Sequence, residues 1–432
     1  MNGQFHLSKR PGGSVLIVVM IVCIALVSLT LVLGHSMVMA NRGSDNELAG
    51  RQADMAIEGA AQYAEAIMTN VDQPGEMPVL DNYQCEAAPL GEATFWFIGV
   101  PEVSATATTP AFGLVDEASK LNLNTASATM LENLPGMTQE LAQAIVSWRS
   151  SSSSSPSPGT AASSAVTKAA PFESVEELSQ VDGGTDLSVL YGNDSNLNHV
   201  LDPSESGTGG TTLNSGLLEY VTVFSRQPNT LPGGTKRINV AGGTTAALTT
   251  LLRTAFGNER AVGVLSALRR AGPVRSVLEF YGKSGMTPTE FAEVSGSLAM
   301  SNDAYSNGLI NVNTASETVL ECVPGITAAT AAQIVATRDA QAEPVTNLSW
   351  VAQILGPGAS AQAGSYLTAE TYQISADVAA VGRYGRGYRR TLFVIDNSTG
   401  TPEIVYRRNM ASLGWALGSD ARQNLASAKE SP

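Results

Sequence analysis

Residues 194–205 carry oxygen-bearing side chains at the spacing of a calcium-binding loop, and their sequence is DSNLNHVLDPSE. In the twelve-residue EF-hand loop, positions 1, 3, 5, 9 and 12 supply side-chain oxygens and position 7 a backbone carbonyl. The residues at these six positions are Asp194, Asn196, Asn198, Val200, Asp202 and Glu205. The spacing therefore predicts a calcium site, which we expect to stabilise the fold rather than to catalyse a reaction.

One position of this loop departs from the calcium-binding pattern. The pattern has glycine at position 6, where this chain has His199. Histidine tolerates positive φ better than most residues, so we expect a weaker site rather than none. The alternative is a surface turn rich in Asp and Asn. Glu205 and the apolar Leu201 at position 8 favour calcium, because a simple turn requires neither.

The rest of the sequence contains no pattern that indicates catalysis. The three histidines are His6, His35 and His199, and none accompanies a nucleophile motif. No Walker-type phosphate loop or zinc-binding pair is present, and the carboxylates are scattered as on an ordinary acidic surface. We therefore expect that the protein is not an enzyme. The alternative is an enzyme that uses an unrecognised carboxylate pair.

The charge and cysteine content narrow the function further. The 432 residues include 25 basic and 39 acidic ones, for a formal net charge of −14. This charge repels phosphate backbones and attracts cations. The length allows two or three domains. A Cys85–Cys322 disulfide is compatible with an oxidising compartment, although the spacing of the cysteines gives it little support.

The N-terminal part contains one apolar segment long enough to cross a membrane. Residues 15–33 carry no charge, and a helix of that length spans about 28 Å, close to the hydrocarbon thickness of a bilayer. Lys9 and Arg10 precede it, so we expect the first residues in the cytoplasm and the rest outside. Apolar residues continue at helical spacing as far as Pro74, which predicts one spine helix over 14–72.

The residues before this segment form a short basic leader, 1–13, that ends in Gly12-Gly13. A secretory signal peptide is the alternative, but the apolar segment is longer than a signal core and no small-x-small cleavage site follows it. A leader of this kind directly before an apolar helix resembles the type IV prepilin-like proteins. The resemblance implies cleavage between Gly13 and Ser14 by prepilin peptidase, with methylation.

The fifth residue after that cleavage site is Val18, where most prepilin-like proteins carry glutamate. In those proteins the glutamate pairs with the N-terminal amine of a neighbouring subunit, because a carboxylate in hydrocarbon is costly unless paired. A subunit without it lacks one docking contact. In this respect the chain resembles the family of general secretion pathway protein K, a minor pseudopilin of type II secretion.

Internal repeats form the second strong signal. Residues 121–149 align without a gap on residues 310–338, and a degenerate third copy begins at Ile238. Each of the first two copies has N-cap residues, a short helix, a Pro-Gly break and a threonine that caps a second helix. This order predicts helix-hairpin-helix units.

Such hairpins bind nucleic-acid phosphates in many proteins. Here Glu132, Glu140 and Glu321 flank the hairpins, and Arg149 and Arg338 come only at the far helix ends. We therefore favour a structural role and do not expect nucleic acid as a partner.

Segments with strand-forming composition lie on both sides of this helical block, at 94–100, 372–378, 388–396 and 403–409. The predicted fold class is α+β, with a pilin-like spine helix, a small antiparallel sheet and a large helical insertion that contains the hairpins. The predicted segments are the leader 1–13, spine 14–72, first pilin-like part 73–118, helical insertion 119–358 with a Ser-rich linker at 150–165 and the candidate calcium loop at 194–205, C-terminal strands 359–412 and tail 413–432.

This organisation resembles the protein K family over nearly the whole chain, and residues 114–127 resemble the start of that family's helical domain. The resemblance implies a minor pseudopilin at the tip of the type II secretion pseudopilus, anchored by one span in the inner membrane with its folded part in the periplasm. The implied partners are other minor pseudopilins, prepilin peptidase, inner-membrane lipid and secreted cargo. The alternatives are a membrane-anchored DNA-uptake protein and a minor pilin of a type IV pilus.

Overall fold

The computed structural model describes residues 12–101, 109–150, 168–181, 186–203, 205, 212–341 and 345–430. The predicted leader before Gly12 and the predicted Ser-rich linker after Ser150 lie outside these residues. The described part consists of a long N-terminal helix, an antiparallel sheet and a helical segment inserted between strands of that sheet. The predicted α+β fold class is therefore confirmed.

The secondary-structure elements of the described residues are numbered in chain order. The helices are α1 (Gly12–Thr69), α2 (Ala128–Leu131), α3 (Gln139–Arg149), α4 (Leu187–Tyr191), α5 (Ala246–Ala271), α6 (Val277–Ser284), α7 (Pro288–Ser295), α8 (Glu317–Glu321), α9 (Ala328–Asp339), α10 (Ser349–Ala363) and α11 (Gly418–Glu430). The strands are β1 (Ala88–Leu90), β2 (Ala93–Gly99), β3 (Ala111–Phe112), β4 (Val115–Asp116), β5 (Leu121–Asn122), β6 (Val221–Thr222), β7 (Arg226–Pro228), β8 (Ile238–Asn239), β9 (Leu298–Ala299), β10 (Tyr305–Asn307), β11 (Ile310–Asn311), β12 (Leu367–Thr368), β13 (Gln373–Gly382), β14 (Arg386–Asp396) and β15 (Glu403–Asn409).

Helix α1 is continuous, but its two halves have different surroundings. Residues 15–48 are exposed on all sides and mostly apolar, and by length and composition this helix is able to cross a membrane. From Ala49 onward one face is buried. The buried residues recur every three or four positions, as one face of a helix requires; they are Ala49, Ala53, Ala56, Ile57, Ala60, Ala61, Ala64 and Met68.

The sheet on which α1 packs has the order β1–β2–β13–β14–β15, with β3 on β2 and β4 on β13, and all of these pairings are antiparallel. The predicted strand segments overlap β2, β13, β14 and β15. The chain leaves the sheet after β4 and returns at β13. Everything between Glu117 and Tyr372 is therefore an insertion, and this insertion is the helical segment.

The insertion extends further than the boundary at residue 358 expected from the sequence. Gly356 has φ of 68°, which breaks α10, but Pro357 then opens a second helical stretch that reaches Ala363. Proline is tolerated at the start of a helix because its missing N–H has no partner there. Strand β12 follows and still belongs to the helical segment.

The insertion consists of three repeats of one construction. Each begins with a two-residue strand that pairs in parallel with the strand that closes the repeat, as β5–β6, β8–β9 and β11–β12. The asparagine of each opening strand, Asn122, Asn239 or Asn311, accepts a hydrogen bond from the backbone N–H two residues later, at 2.8, 2.9 and 3.0 Å. The degenerate third copy thus has the same start as the other two.

That copy also contains a hairpin. Gly257 has φ of 79° and interrupts α5, as Gly136 and Gly325, with φ of 73° and 89°, do in the turns of the other two copies. Positive φ strains residues with a Cβ, which accounts for glycine at the break. The repeat closed by β9 has its own hydrophobic core, whereas the other two repeats share one.

Both cysteines outside the apolar segment are free thiols. Cys85 packs beside the core between α1 and the sheet, and Cys322 lies in the core of the helical segment. The disulfide considered from the sequence is therefore not formed, because the two residues belong to separate cores.

Two glycines allow α1 to approach the sheet closely. A Cβ on Gly382 would lie 2.1 Å from the carbonyl oxygen of Ala49, and a Cβ on Gly387 would lie 2.4 Å from the backbone nitrogen of Gly50. Both glycines flank the turn between β13 and β14. This turn is therefore fixed against the point where α1 leaves the sheet on its way to its apolar half.

We predict that Gly382→Ala destabilises the fold by about 1–3 kcal/mol, because the added methyl group forces the helix and sheet apart. Urea unfolding of the full chain in detergent, followed by tryptophan fluorescence, measures this change. Gly296→Ala is the control, since a Cβ there meets nothing within 4 Å. Equal stability of the two variants would contradict this account of the packing.

Candidate metal centre

The candidate calcium loop, residues 194–205, follows α4 and is buried rather than displayed on the surface. All of the loop is described except Ser204. Five of its six predicted ligand residues are buried, namely Asp194, Asn196, Asn198, Val200 and Glu205. The sixth, Asp202, is partly exposed. Burial of this many polar groups is not expected of a simple solvated turn, because each buried polar group needs a partner.

The carboxylates at the two ends of the loop hold its backbone together. Asp194 accepts hydrogen bonds from the backbone N–H groups of Asn198 and His199, at 3.1 and 2.8 Å. Glu205 accepts from the backbone N–H and the hydroxyl of Ser195, at 2.8 and 2.7 Å. Both carboxylates are therefore directed into the loop.

The side chains predicted at positions 3, 5 and 9 meet inside the loop. One carboxylate oxygen of Asp202 accepts from the side-chain amides of Asn196 and Asn198, at 2.7 and 3.1 Å. The amide oxygen of Asn196 is buried without a hydrogen-bond partner. His199 has φ of 60°, the left-handed conformation expected of position 6, and Leu197 has φ of 54°.

The donor set fits calcium, which prefers carboxylate, amide and carbonyl oxygens. The unpartnered Asn196 oxygen also fits, because a cation would satisfy it. Within the described residues, however, no three Asp, Glu, His or Cys side chains form a ready metal cluster. The carboxylates instead accept hydrogen bonds from the loop. Burial raises the pKa of Asp194, and nearby Glu205 raises it further against the lowering effects of His199 and the backbone, so a cation would favour the ionised form.

A second buried polar cluster joins the helical segment to the sheet at Asp116. One oxygen of its carboxylate accepts from the side-chain amide of Asn311 at 2.9 Å and from the hydroxyls of Thr314 and Thr371 at 2.6 and 2.8 Å. The other oxygen accepts from the backbone N–H of Ala118 at 2.8 Å. Burial raises the pKa of Asp116, although these hydrogen bonds act in the opposite direction.

The next residue, Glu117, extends the same junction. Its carboxylate accepts from the ammonium of Lys120 at 3.2 Å and from the hydroxyls of Thr222 and Ser375. Asp116 and Glu117 thus contact the repeat that begins at β5, the repeat that begins at β11, and β13. Neither residue stands out as a functional candidate in the sequence. The available signal was two adjacent acids directly before a repeat.

The arginines that end the two hairpins are held within their own repeats. Arg149 donates to the carbonyls of Leu123 and Ala126. Arg338 donates to the carbonyls of Val312 and Ala315, at equivalent positions. These guanidinium groups hold the turn that opens each repeat rather than facing the hairpin.

The hairpin turns differ in exposure. A Cβ on Gly325 would lie 3.0 Å from Gln362 Cβ and 3.1 Å from the carbonyl oxygen of Ala359 on α10, whereas a Cβ on Gly136 would meet nothing within 4 Å. The turn of the later hairpin is therefore covered by protein. This arrangement favours a structural role for that hairpin over contact with phosphate.

The helix-hairpin-helix motif family matches residues 116–154 and 306–361, which confirms the helix-hairpin-helix interpretation of the first two copies. No curated protein matches the chain. Among solved structures, the chain is similar to one in the crystal structure of the GspK-GspI-GspJ complex of the type 2 secretion system of enterotoxigenic Escherichia coli. The TM-score is 0.36 at 10% sequence identity, over 85% of this chain and 99% of that chain.

We predict that Asp116→Ala lowers the free energy of unfolding by about 3 kcal/mol, because it removes the acceptor of the buried Asn311 and Thr371 side chains, of the partly buried Thr314 hydroxyl and of one backbone N–H. Chemical unfolding of the full chain in detergent measures this loss. Asp81→Ala is the control, since Asp81 is exposed.

The loss should also depend on pH. Because the pKa of Asp116 is raised in the folded state, its protonation contributes stability that is complete below the ordinary aspartate pKa of about 4 and is lost as the pH rises through the native pKa. The difference in the free energy of unfolding between the wild type and Asp116→Ala should therefore become smaller from pH 4 upwards. A gap that stays constant would contradict the raised pKa.

Proposed function

We propose that this chain is a membrane-anchored, pilin-like minor pseudopilin that caps the tip of a type II secretion pseudopilus and assists protein export. The observation that carries the proposal is the arrangement of the two ends of the folded part. At one end, the turn between β13 and β14 meets α1 at Ala49 and Gly50, next to its exposed apolar half. At the other end, the helical segment joins the sheet where α1 stops.

Contacts at that far end define the geometry. Thr371, just after the last repeat, donates its backbone N–H to the carbonyl of Gly75 at 2.7 Å, and the side chain of Asn397 donates to the carbonyl of Met68 at 3.1 Å. The bulky insertion therefore leaves the sheet at the end away from the apolar half of α1. A subunit built in this way can pack its spine among others while its insertion covers the end of a filament.

The exposed half of α1 needs a partner outside this chain. Exposed apolar surface of this extent is rare on soluble monomers and requires lipid or other apolar helices. We propose the inner membrane before assembly and neighbouring minor pseudopilins after it. Val18 supports a place at the tip, because an apolar residue there lacks the carboxylate that docks a pilin onto its neighbour.

In this proposal the folded part lies in the periplasm, where it contacts secreted cargo and caps the filament. Prepilin peptidase is the partner that removes the leader. A DNA-uptake receptor is less well supported, because Arg149 and Arg338 are bonded within their own repeats. A minor pilin of a type IV pilus would share the spine helix. The large insertion at the far end favours the pseudopilin.

We further propose that calcium is a structural cofactor, held by Asp194, Asn196, Asn198, Val200, Asp202 and Glu205. When bound, the cation would neutralise the buried carboxylates and add to the stability of the folded state alone.

We predict that the protein, coexpressed with a prepilin peptidase and extracted from membranes, begins at Ser14, as intact mass measurement would reveal. Gly13→Val should retain the leader, because the bulkier residue occupies the predicted cleavage site. Gly12→Ala should still be processed. A soluble mature protein that begins after residue 33 would overturn the pseudopilin assignment.

We predict that calcium at 100 times its dissociation constant stabilises the full chain by about 2.7 kcal/mol relative to EDTA. Thermal unfolding followed by circular dichroism measures the shift. Asp202→Asn should lose most of this shift, since it keeps the side-chain shape and removes the charge. Asp303→Asn, at an exposed site, should keep it. Identical melting of the wild type in calcium and in EDTA would exclude the site.

A further inference from the structure

A buried arginine of the sheet contacts the backbone of the candidate calcium loop. Arg390 lies on β14, and its side chain is 0% exposed. One terminal nitrogen of its guanidinium donates to the carbonyl of Asn196, and the other donates to the carbonyl of Leu197 at 2.8 Å. These two residues occupy positions 3 and 4 of the loop.

The same guanidinium is fixed from the opposite side by Asp377 on β13. Nε donates to one carboxylate oxygen of Asp377 at 2.9 Å, and Nη2 donates to the other at 2.6 Å. A planar guanidinium held by two parallel bonds has a defined orientation. Arg390 therefore joins two strands of the sheet and the loop through one rigid group.

The part of the loop that Arg390 holds is conformationally demanding. Leu197 and His199 both have positive φ, which is unfavourable for residues other than glycine and persists only where the surroundings enforce it. The side-chain amide of Asn196 also donates to the carbonyl of Trp415 at 3.1 Å. The sheet and the C-terminal segment thus hold positions 3 and 4 from outside the loop.

We infer that Arg390 is a positioning residue of the calcium loop and that it couples occupancy of the loop to the pilin sheet. This inference rests on the calcium site proposed above. Arg390 binds the backbone carbonyls of Asn196 and Leu197. Neither carbonyl is a predicted ligand, so the side-chain oxygens of the loop, including that of Asn196, are left for the cation. Groups of this kind, which orient the ligands without touching the metal, strongly affect metal affinity.

The coupling acts in both directions, because linkage is reciprocal. A cation that orders positions 1–12 of the loop also holds the two carbonyls against Arg390, and through it holds β13 and β14. The helical segment and the sheet then behave as one body. For a cap that is pushed by a growing filament, calcium would make the joint between these two parts stiff.

The test compares two arginine variants of the full chain in detergent. Arg390→Lys keeps the charge beside Asp377 but cannot form the planar fork to two carbonyls and a carboxylate. Arg226→Lys is the matched control, because Arg226 on β7 pairs with Asp396 at the end of β14 and so also joins the helical segment to this strand. Arg226 has no hydrogen bond to the loop among the described residues.

Calorimetric titration with calcium should give about 10- to 100-fold weaker binding for Arg390→Lys than for the wild type. Arg226→Lys should bind calcium as the wild type does. Magnesium should bind the wild type more weakly, because it requires a tighter octahedral shell than this donor set provides.

Hydrogen exchange supplies the readout of coupling. Calcium should slow exchange of the backbone amides of residues 373–396 in the wild type and in Arg226→Lys, but not in Arg390→Lys. Asp377→Asn is a second variant, which keeps Arg390 and removes the charge of its carboxylate partner. It should lose part of the calcium-dependent protection, but less than Arg390→Lys loses. This second variant keeps the inference testable should Arg390→Lys fail to fold.

The outcomes separate the inference from the calcium proposal. If the wild type binds no calcium, the proposed site and this inference both fall. If the wild type binds calcium, and Arg390→Lys and Asp377→Asn show the same affinity and the same protection of residues 373–396, the calcium site stands and the coupling is wrong.

Discussion

The pairing of β4 with β13 is the constraint on which the rest of the structure depends. Asp116 lies opposite Ile374 in this antiparallel pair, so the chain leaves the sheet and returns to it at neighbouring positions. The long insertion must therefore begin and end side by side. Asp116 and Glu117 strengthen this closure, because their buried carboxylates collect hydroxyl and amide donors from both ends of the insertion and from the sheet. Without such donors these carboxylates would be costly to bury.

Each repeat within the insertion likewise begins and ends at neighbouring positions. Each repeat closes on itself through a short parallel pair, which brings its own two ends together. Two of the repeats then share one core, and the repeat between them in sequence keeps its own. An insertion made of self-closing units can be large and still attach to the sheet at one place. The hairpins in these units serve this packing, because the arginines of the repeats that begin at β5 and β11 donate hydrogen bonds to their own opening turns.

The two halves of helix α1 lie in different surroundings, although the helix is continuous. The first part of its exposed half, residues 15–33, carries no charge and is almost entirely apolar, as a helix in lipid or among other spines must be. Its other half has one face of small residues, mostly alanine, that lies on the sheet. The glycines at the turn between β13 and β14 permit this contact, and they set the point where the helix passes from one environment to the other. Arg390 links the proposed calcium loop to β13 and β14.

The sequence alone was sufficient for features that depend on neighbouring residues. Apolar and alanine positions at helical spacing predicted α1, and segments of strand-forming composition predicted the strands, because these signals lie within a short stretch of chain. Alignment of the chain with itself revealed the repeats, because each copy carries the local signals of its own helices and turns. The spacing of Asp194 to Glu205 likewise identified a candidate loop before its conformation was known.

The tertiary structure decided what joins these parts. Ser375 and Glu117 are 258 residues apart, and Arg390 and Asn196 are 194 apart, so no local pattern indicates either contact. The same holds for Cys85 and Cys322, which the fold places in separate cores. Long-range partners are chosen by the packing of whole elements, and a single sequence records that packing only indirectly.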